Sequence, residues 1–351
     1  MVTTVALDGR GAERGPGAIV AGARAAAADG IRLRVFGDSA ALTAVTEIDG
    51  AELVPAVEEI SNADEPVAAV RSRPEASVVL AARDVAEGRS QAMASAGSTG
   101  AAMTAALFAL RRLHGVRRPA LAVQLLVPGR LGPPTLLLDV GANADARTND
   151  LLQFAYLGTA FSEAVLGVAH PRVALLSVGE EPNKGSAEVV DAHARLARAQ
   201  GLDFRGNVEG KDLLAGVADV IVTDGFTGNI VLKTIEGTAK TVAEAVRAAA
   251  RSGVRAAAGG LLLRRSLGAL RRQMDPDTTG GAILLGLRGV AVVGHGSSGP
   301  EGIANAVRLA ARTVDERAVE RTTKLLERSR MTRGELRRES LQAGMRDRKE
   351  P

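Results

Sequence analysis

The segment T-L-L-L-D-V-G-A-N-A-D, residues 135–145, is an apolar run closed by aspartate, glycine and asparagine. A short apolar stretch bounded by turn formers describes a strand buried on both faces, as in parallel sheets. The same pattern recurs at 3–7, 32–36, 172–178, 220–223 and 289–294, with 135–140 as the clearest case. Alanine-rich stretches of helical length lie among these strands, at 17–28, 100–113, 149–166, 186–199, 227–250 and 299–314. Strands alternating with crossover helices predict an α/β fold with a doubly wound, mostly parallel, Rossmann-like sheet. In such sheets anions collect where strand ends meet helix starts, because free N–H groups and the helix dipole both favour negative charge there.

Composition narrows the classes of function. With 351 residues and 46% apolar side chains the chain can bury a core without staples. It has no cysteine, which excludes disulfides, thiolate metal sites and a cysteine nucleophile, and which suits a reducing, cytoplasmic setting. Neither a basic-then-apolar leader nor 18 uninterrupted apolar residues is present. Net charge is only +4 and aromatic content 2%, so stacking surfaces for nucleic acid are scarce and no nucleic-acid partner is expected. No histidine or carboxylate pair has metal-ligand spacing, so neither a metal nor a cofactor is expected. Residues 1–312 read as one α/β domain, with a helical segment at 245–280, and 313–351 as a charged helical extension fading into a disordered tail.

Six glycine-rich loops follow strands and are expected along one sheet edge. L-D-G-R-G-A-E-R-G-P, residues 7–16, approximates a dinucleotide fingerprint through Gly9, Gly11 and Gly15, with Asp38 beyond the next strand; Asp8 would place a carboxylate against any pyrophosphate. S-A-G-S-T-G-A, residues 95–101, offers Gly97, Ser98, Thr99 and Gly100 as an anion nest at a helix start. Its rivals are a plain serine N-cap and a nucleophile elbow, the latter disfavoured because G-R-S-Q-A-M-A does not read as a strand. D-V-G-A-N supplies Asp139, Gly141 and Asn143, as ligands or as ordinary turn formers. V-G-E-E-P-N-K-G-S places Lys184 before a helix, where an ammonium holds a phosphate dianion or stays solvated. The stretch 204–234 contributes Asn207, Glu209, Asp224 and Asn229. G-H-G-S-S-G, residues 294–299, brings Ser297, Ser298 and His295, a general acid or base near neutral pH or a histidine that bonds its own turn.

In order, A-G-S-T-G, R-P-A-L-A, L-D-V-G-A-N, L-x-Q-F-A, G-E-E-x-x-K-G, G-N-x-E-G-x-D-L-L, D-G-F-T-G-N-I-V-L-K-T and G-A-x-L-L-G followed by H-G-S-S closely resemble the bacterial phosphate acyltransferase family over roughly residues 1–312. The resemblance implies transfer of the acyl group of acyl carrier protein to inorganic phosphate, giving acyl phosphate and free carrier for phospholipid synthesis. It also implies a fold related to isocitrate and isopropylmalate dehydrogenases, a homodimer, reversible attachment to the inner face of the cell membrane, and a downstream acyl-phosphate:glycerol-3-phosphate acyltransferase as partner. The chain departs from the family's D-A-M-G-G-D at residues 8–13, has Ser98 for asparagine, Ala76 in the first of two serine positions, and Ser186 for asparagine.

With no cysteine and no secure serine elbow, direct attack of phosphate on the thioester is the expected route. Lys184 and the 97–101 loop are the candidates for phosphate, with Asn143, Asn229 and His295 around the carbonyl or leaving sulfur. Residues 259–274 place Leu262, Leu263, Leu267, Leu270 and Met274 on one helical side and Arg264, Arg265, Arg271 and Arg272 on the other, a shape suited to an anionic bilayer or to a dimer contact. Three rival readings stand beside the acyltransferase: a phosphotransacetylase acting on acyl-coenzyme A, a nicotinamide-dependent dehydrogenase supported by the first loop, and a non-catalytic membrane scaffold.

Overall fold

Among the described residues, eleven strands join in one sheet: β1 (Thr4–Asp8), β2 (Arg32–Gly37), β3 (Ala51–Pro55), β4 (Ala92–Ser95), β5 (Ala120–Leu125), β6 (Thr135–Leu138), β7 (Arg172–Leu176), β8 (Asp203–Val208), β9 (Val220–Val222), β10 (Ala282–Leu285) and β11 (Val290–Val293). Their order across the sheet is β3-β2-β1-β4-β11-β10-β5-β6-β9-β7-β8. The computed structural model describes residues 2–129, 132–273 and 275–338, and only the backbone of 254, 266, 267, 269–273 and 276.

Within β3-β2-β1-β4-β11 and within β6-β9-β7-β8 every pairing is parallel. Between these blocks, β10 and β5 are antiparallel to both of their neighbours, so the two blocks run in opposite directions. The six loops therefore do not share one edge, contrary to expectation: those after β1, β4 and β11 leave one edge, and those after β6, β7, β8 and β9 leave the other. Register nonetheless brings the two groups level. Val293 pairs with Ala282, Ala282 with Val123 and Val123 with Leu137, so β11 and β6 end at nearly the same height beside β5.

The strands bury alternate side chains against two helical layers. Val5, Leu33, Leu136, Val173 and Val292 face α1 (Gly15–Ala27), α5 (Thr148–Ala164), α6 (Ala187–Leu196), α9 (Pro300–Asp315) and α10 (Ala318–Arg328). Ala6, Met93, Leu121, Leu137 and Val293 face α2 (Pro66–Ser72), α3 (Ser77–Ala86), α4 (Thr99–Leu110) and the start of α7 (Gly225–Ala249). The sequence reading missed β3, β4, β5, β8 and β10. β4 is A-M-A-S, whose alanines have weak strand preference; small side chains are favoured there because helices press on both of its buried faces.

Within the charged extension α10 is packed on α5. Leu326 and Leu336 are fully buried, and Gln153 Nε2 donates to the Met331 carbonyl oxygen at 2.6 Å. A single apolar stripe on a highly charged helix suffices to dock it. The last part of the 313–351 extension, residues 339–351, lies outside the described residues. Beyond the sheet α7 runs into α8 (Val254–Gln273), and Leu261, Leu262 and Leu263 are 69%, 85% and 55% exposed. Arg264 and Arg265 are exposed too, while the side chains of Leu267, Leu270, Arg271, Arg272 and Met274 lie outside the described residues.

Candidate active site

The turn after β6 is organised by Asp139, whose fully buried carboxylate accepts N–H groups from Leu121, Gly141, Ala142 and Asn143 and the Asn143 amide. Burial raises its pKa, against the opposing pull of these hydrogen bonds. With that many donors the group is a structural anchor. Asn143 Nδ2 donates to Asp139 and to the Pro119 carbonyl oxygen at 2.7 Å, so its amide N–H groups, expected near the substrate, hold the turn.

The start of α7 is pressed onto this turn. Gly225 N–H donates to the Asn143 carbonyl oxygen at 2.8 Å, and a Cβ at Gly228 would stand 1.9 Å from the Asp139 carbonyl oxygen. The two glycines of D-G-F-T-G-N are thus required by backbone contact. Asp224 caps α7, accepting the Thr227 N–H and hydroxyl at 2.8 and 2.7 Å, which accounts for its carboxylate without a ligand. Asn229 follows on the exposed side of the helix, and Lys233 one turn later.

The start of α4 lies opposite. β4 does precede the A-G-S-T-G loop, so the ground on which an elbow was disfavoured does not hold; the elbow fails instead on backbone, because Ser98 is relaxed at φ −61° and ψ 117°. Nor does the Ser98 side chain cap the helix, and the first N–H groups of α4 remain without a side-chain acceptor. Thr99, Asn229, Lys233 and His295 line one cavity of about 330 Å³ floored by Leu121 and Val123 of β5. This pocket unites the two opposed groups of loops.

On the loop after β11, Ser297 N–H donates to His295 Nδ1 at 3.3 Å, and Ser297 Oγ lies 2.8 Å from the same nitrogen. An accepting Nδ1 places the ring proton on Nε2. Ser298 is buried and its hydroxyl donates to Asp277 at 2.7 Å, so it anchors the loop instead of facing the cavity.

Asp8, at the end of β1, was not among the expected site residues. It is 3% exposed, accepts the Ser77 and Ser95 hydroxyls at 2.6 and 2.7 Å and has no cationic partner among the described residues, while Ser95 Oγ in turn accepts the Gly97 N–H at 3.1 Å. Desolvation lifts its pKa to about 6, above the ordinary aspartate value of 3.8. The folded protein therefore holds this proton more tightly than the unfolded chain does. The expected result is that stability falls by up to roughly 3 kcal/mol as pH rises from about 4 to about 6, and is level above that. Denaturant titrations should show this fall in the wild type minus Asp8→Asn difference; a difference flat with pH would refute it.

The remaining expected residues lie elsewhere. Lys184 sits on the exposed loop after β7 and does not line the cavity. Asn207 is buried between His193 Nδ1, 3.0 Å from its Oδ1, and the Glu181 carbonyl oxygen. Glu209 opens a one-turn helix and pairs with Lys211 at 2.8 Å. In the first loop, Arg10 bridges Asp38 at 3.3 Å and Glu59 at 3.7 Å, so two carboxylates crowd the place a pyrophosphate would need. Lys233 stands in the quoted I-V-L-K-T run; its spacing of four from Asn229 was the signal that places it on the same helical side.

The chain matches the family described as fatty acid synthesis protein over residues 3–321. It is 45% identical over 317 residues to a phosphate acyltransferase of Thermobifida fusca (strain YX), covering 87% of this chain and 86% of that one. It is 41% identical over 324 residues to a phosphate acyltransferase of Nostoc punctiforme, covering 90% and 94%. In fold it is similar to a branched-chain phosphotransacylase from Enterococcus faecalis V583, with a TM-score of 0.57 at 18% identity, over 90% of this chain and 99% of that one.

Proposed function

This chain belongs to the phosphate acyltransferase family, and from that premise we propose that it moves a fatty acyl group from acyl carrier protein to inorganic phosphate. The enzyme class, a transferase of fatty acid and lipid synthesis, is that of its relatives. The observation that supports the finer reading is the uncapped start of α4 facing Asn229 and His295 across one partly apolar cavity. Uncapped N–H groups and a helix dipole suit the phosphate dianion, and the apolar floor suits an acyl chain.

In this reading a phosphate oxygen attacks the thioester carbonyl, the C–S bond breaks, and the phosphate's proton ends on the departing sulfur. His295, with its proton on Nε2, donates to the departing sulfur and Asn229 donates to the carbonyl oxygen as it becomes an oxyanion, while the proton itself passes from phosphate to sulfur. Asp139, Asn143, Asp224 and Ser298 hold the loops. Lys184 is assigned to phosphate from outside the cavity.

The test is incubation of long-chain acyl carrier protein with phosphate, assayed for acyl phosphate and free carrier thiol, with acyl-coenzyme A as parallel donor. Absence of acyl phosphate with either donor sinks the reading, and product from coenzyme A alone selects the phosphotransacetylase alternative. An unchanged phosphate dependence in Lys184→Ala removes that lysine's role.

The same reading includes a homodimer, a downstream acyl-phosphate:glycerol-3-phosphate acyltransferase, and attachment of α8 to an anionic bilayer. Leu261, Leu262 and Leu263 are exposed beside Arg264 and Arg265, whereas no described helix is long and apolar enough to cross a membrane. Replacing Leu262 and Leu263 by glutamate is expected to release the protein from anionic vesicles in flotation; undiminished binding would refute the attachment. The scaffold reading leaves the cavity unexplained.

A further inference from the structure

Further along α4 from the candidate active-site cavity lies a second one of about 690 Å³. The lining passes from Thr99 to Met103 and Leu107 on α4, from Ala282 to Leu284 on β10, and from Val140 to Asn143 after β6. Its far end is ringed by Arg111, Arg112, Arg117 and Arg118, and Arg288 adjoins it, its Nε donating to the Arg112 carbonyl oxygen at 3.2 Å.

These five guanidinium groups meet few carboxylates. Buried Asp150 takes Arg117 at 3.0 Å, and Asp145, 77% exposed, takes Arg118 at 2.7 Å. Among the described residues no carboxylate lies within ion-pair distance of Arg111, Arg112 or Arg288, and all three are exposed. Arg111 ends α4 at φ 60°, a conformation glycine takes at lower cost, so the position keeps a charged side chain against its backbone preference. From Thr99 to Arg111 the helix covers about 18 Å at 1.5 Å per residue, within the reach of an extended phosphopantetheine arm.

We propose that this arginine rim docks an acidic carrier protein, whose phosphopantetheine arm lies in the groove along α4 and delivers the thioester to the His295 and Asn229 end. The inference rests on the acyl-transfer reading and adds the carrier's site and the arm's route. Charge complementarity at such a rim sets encounter rate and salt dependence more than it sets the chemistry.

The experiment is binding of holo acyl carrier protein to the full chain, followed by fluorescence anisotropy at low and moderate salt. The double substitution Arg112→Glu with Arg288→Glu is expected to weaken binding by about tenfold or more at low salt, with an unchanged thermal midpoint. Asp145→Asn, which frees Arg118 from its only exposed carboxylate, is expected to tighten binding by about two- to fivefold, a gain that damage to the fold does not produce. Equal affinity of all three proteins, or no affinity in the wild type, overturns the proposal. Formation of acyl phosphate from an acyl-pantetheine thioester, run in parallel, reports on the acyl-transfer reading alone.

Discussion

Gly228→Ala is expected to cost at least about 3 kcal/mol and to leave little folded protein at physiological temperature. The added methyl group would meet the Asp139 carbonyl oxygen at 1.9 Å, and the obstacle is backbone, which cannot rotate away as a side-chain tip can. Relief requires α7 to lift off the β6 turn, which would strain the Gly225 to Asn143 hydrogen bond and the network around buried Asp139. Gly237→Ala supplies the control on the same helix. A Cβ there meets nothing within 4 Å, so the substitution should stabilise by up to about 1 kcal/mol through helix preference alone. Urea unfolding of both variants decides the matter: Gly228→Ala within about 0.5 kcal/mol of wild type would show that the close approach of α7 is absent.

His295→Ala is expected to lower kcat by roughly 10²- to 10³-fold, the range of a lost hydrogen-bond donor to the reacting centre. Because the residue is exposed and bonds only within its own loop, stability should change little. His295→Gln separates two roles. A glutamine amide donates a hydrogen bond but relays no proton, so a proton relay predicts that it is as impaired as alanine, whereas a pure donor role predicts substantial rescue. Single-turnover rates at saturating phosphate make the comparison, and an alanine variant within about threefold of wild type would remove His295 from the chemistry. Both predictions concern the cavity between α4 and α7: Gly228 sets the position of one wall, and His295 stands on the opposite side.

Much of this architecture is legible in the linear sequence because local rules govern it. Apolar runs such as 136–138 and 173–176 are too short for helices and read as buried strands, and turn residues mark where each ends. Asp139, Gly141, Asn143, Asp224 and Gly228 were visible as special positions for the same reason, since their chemistry is that of turns and caps. Their roles were less visible. The Asp139 carboxylate and the Asn143 amide looked like substrate ligands until the structure showed five donors converging on the one and the Pro119 carbonyl oxygen facing the other.

By itself, then, the sequence determined an α/β chain with anion-seeking strand ends and a family of phosphate acyltransferases, because periodicity, glycine placement and motif order are carried by neighbouring residues. Tertiary structure alone decided that β10 and β5 reverse the sheet, that Lys233 joins Asn229, Thr99 and His295 in one cavity while Lys184 stays outside it, and that buried Asp8 steadies the loop at 95–97. The physical reason is that strand direction and register are set by pairing between segments far apart in the chain, and that whether a polar side chain is free for a ligand depends on which distant backbone groups reach it first.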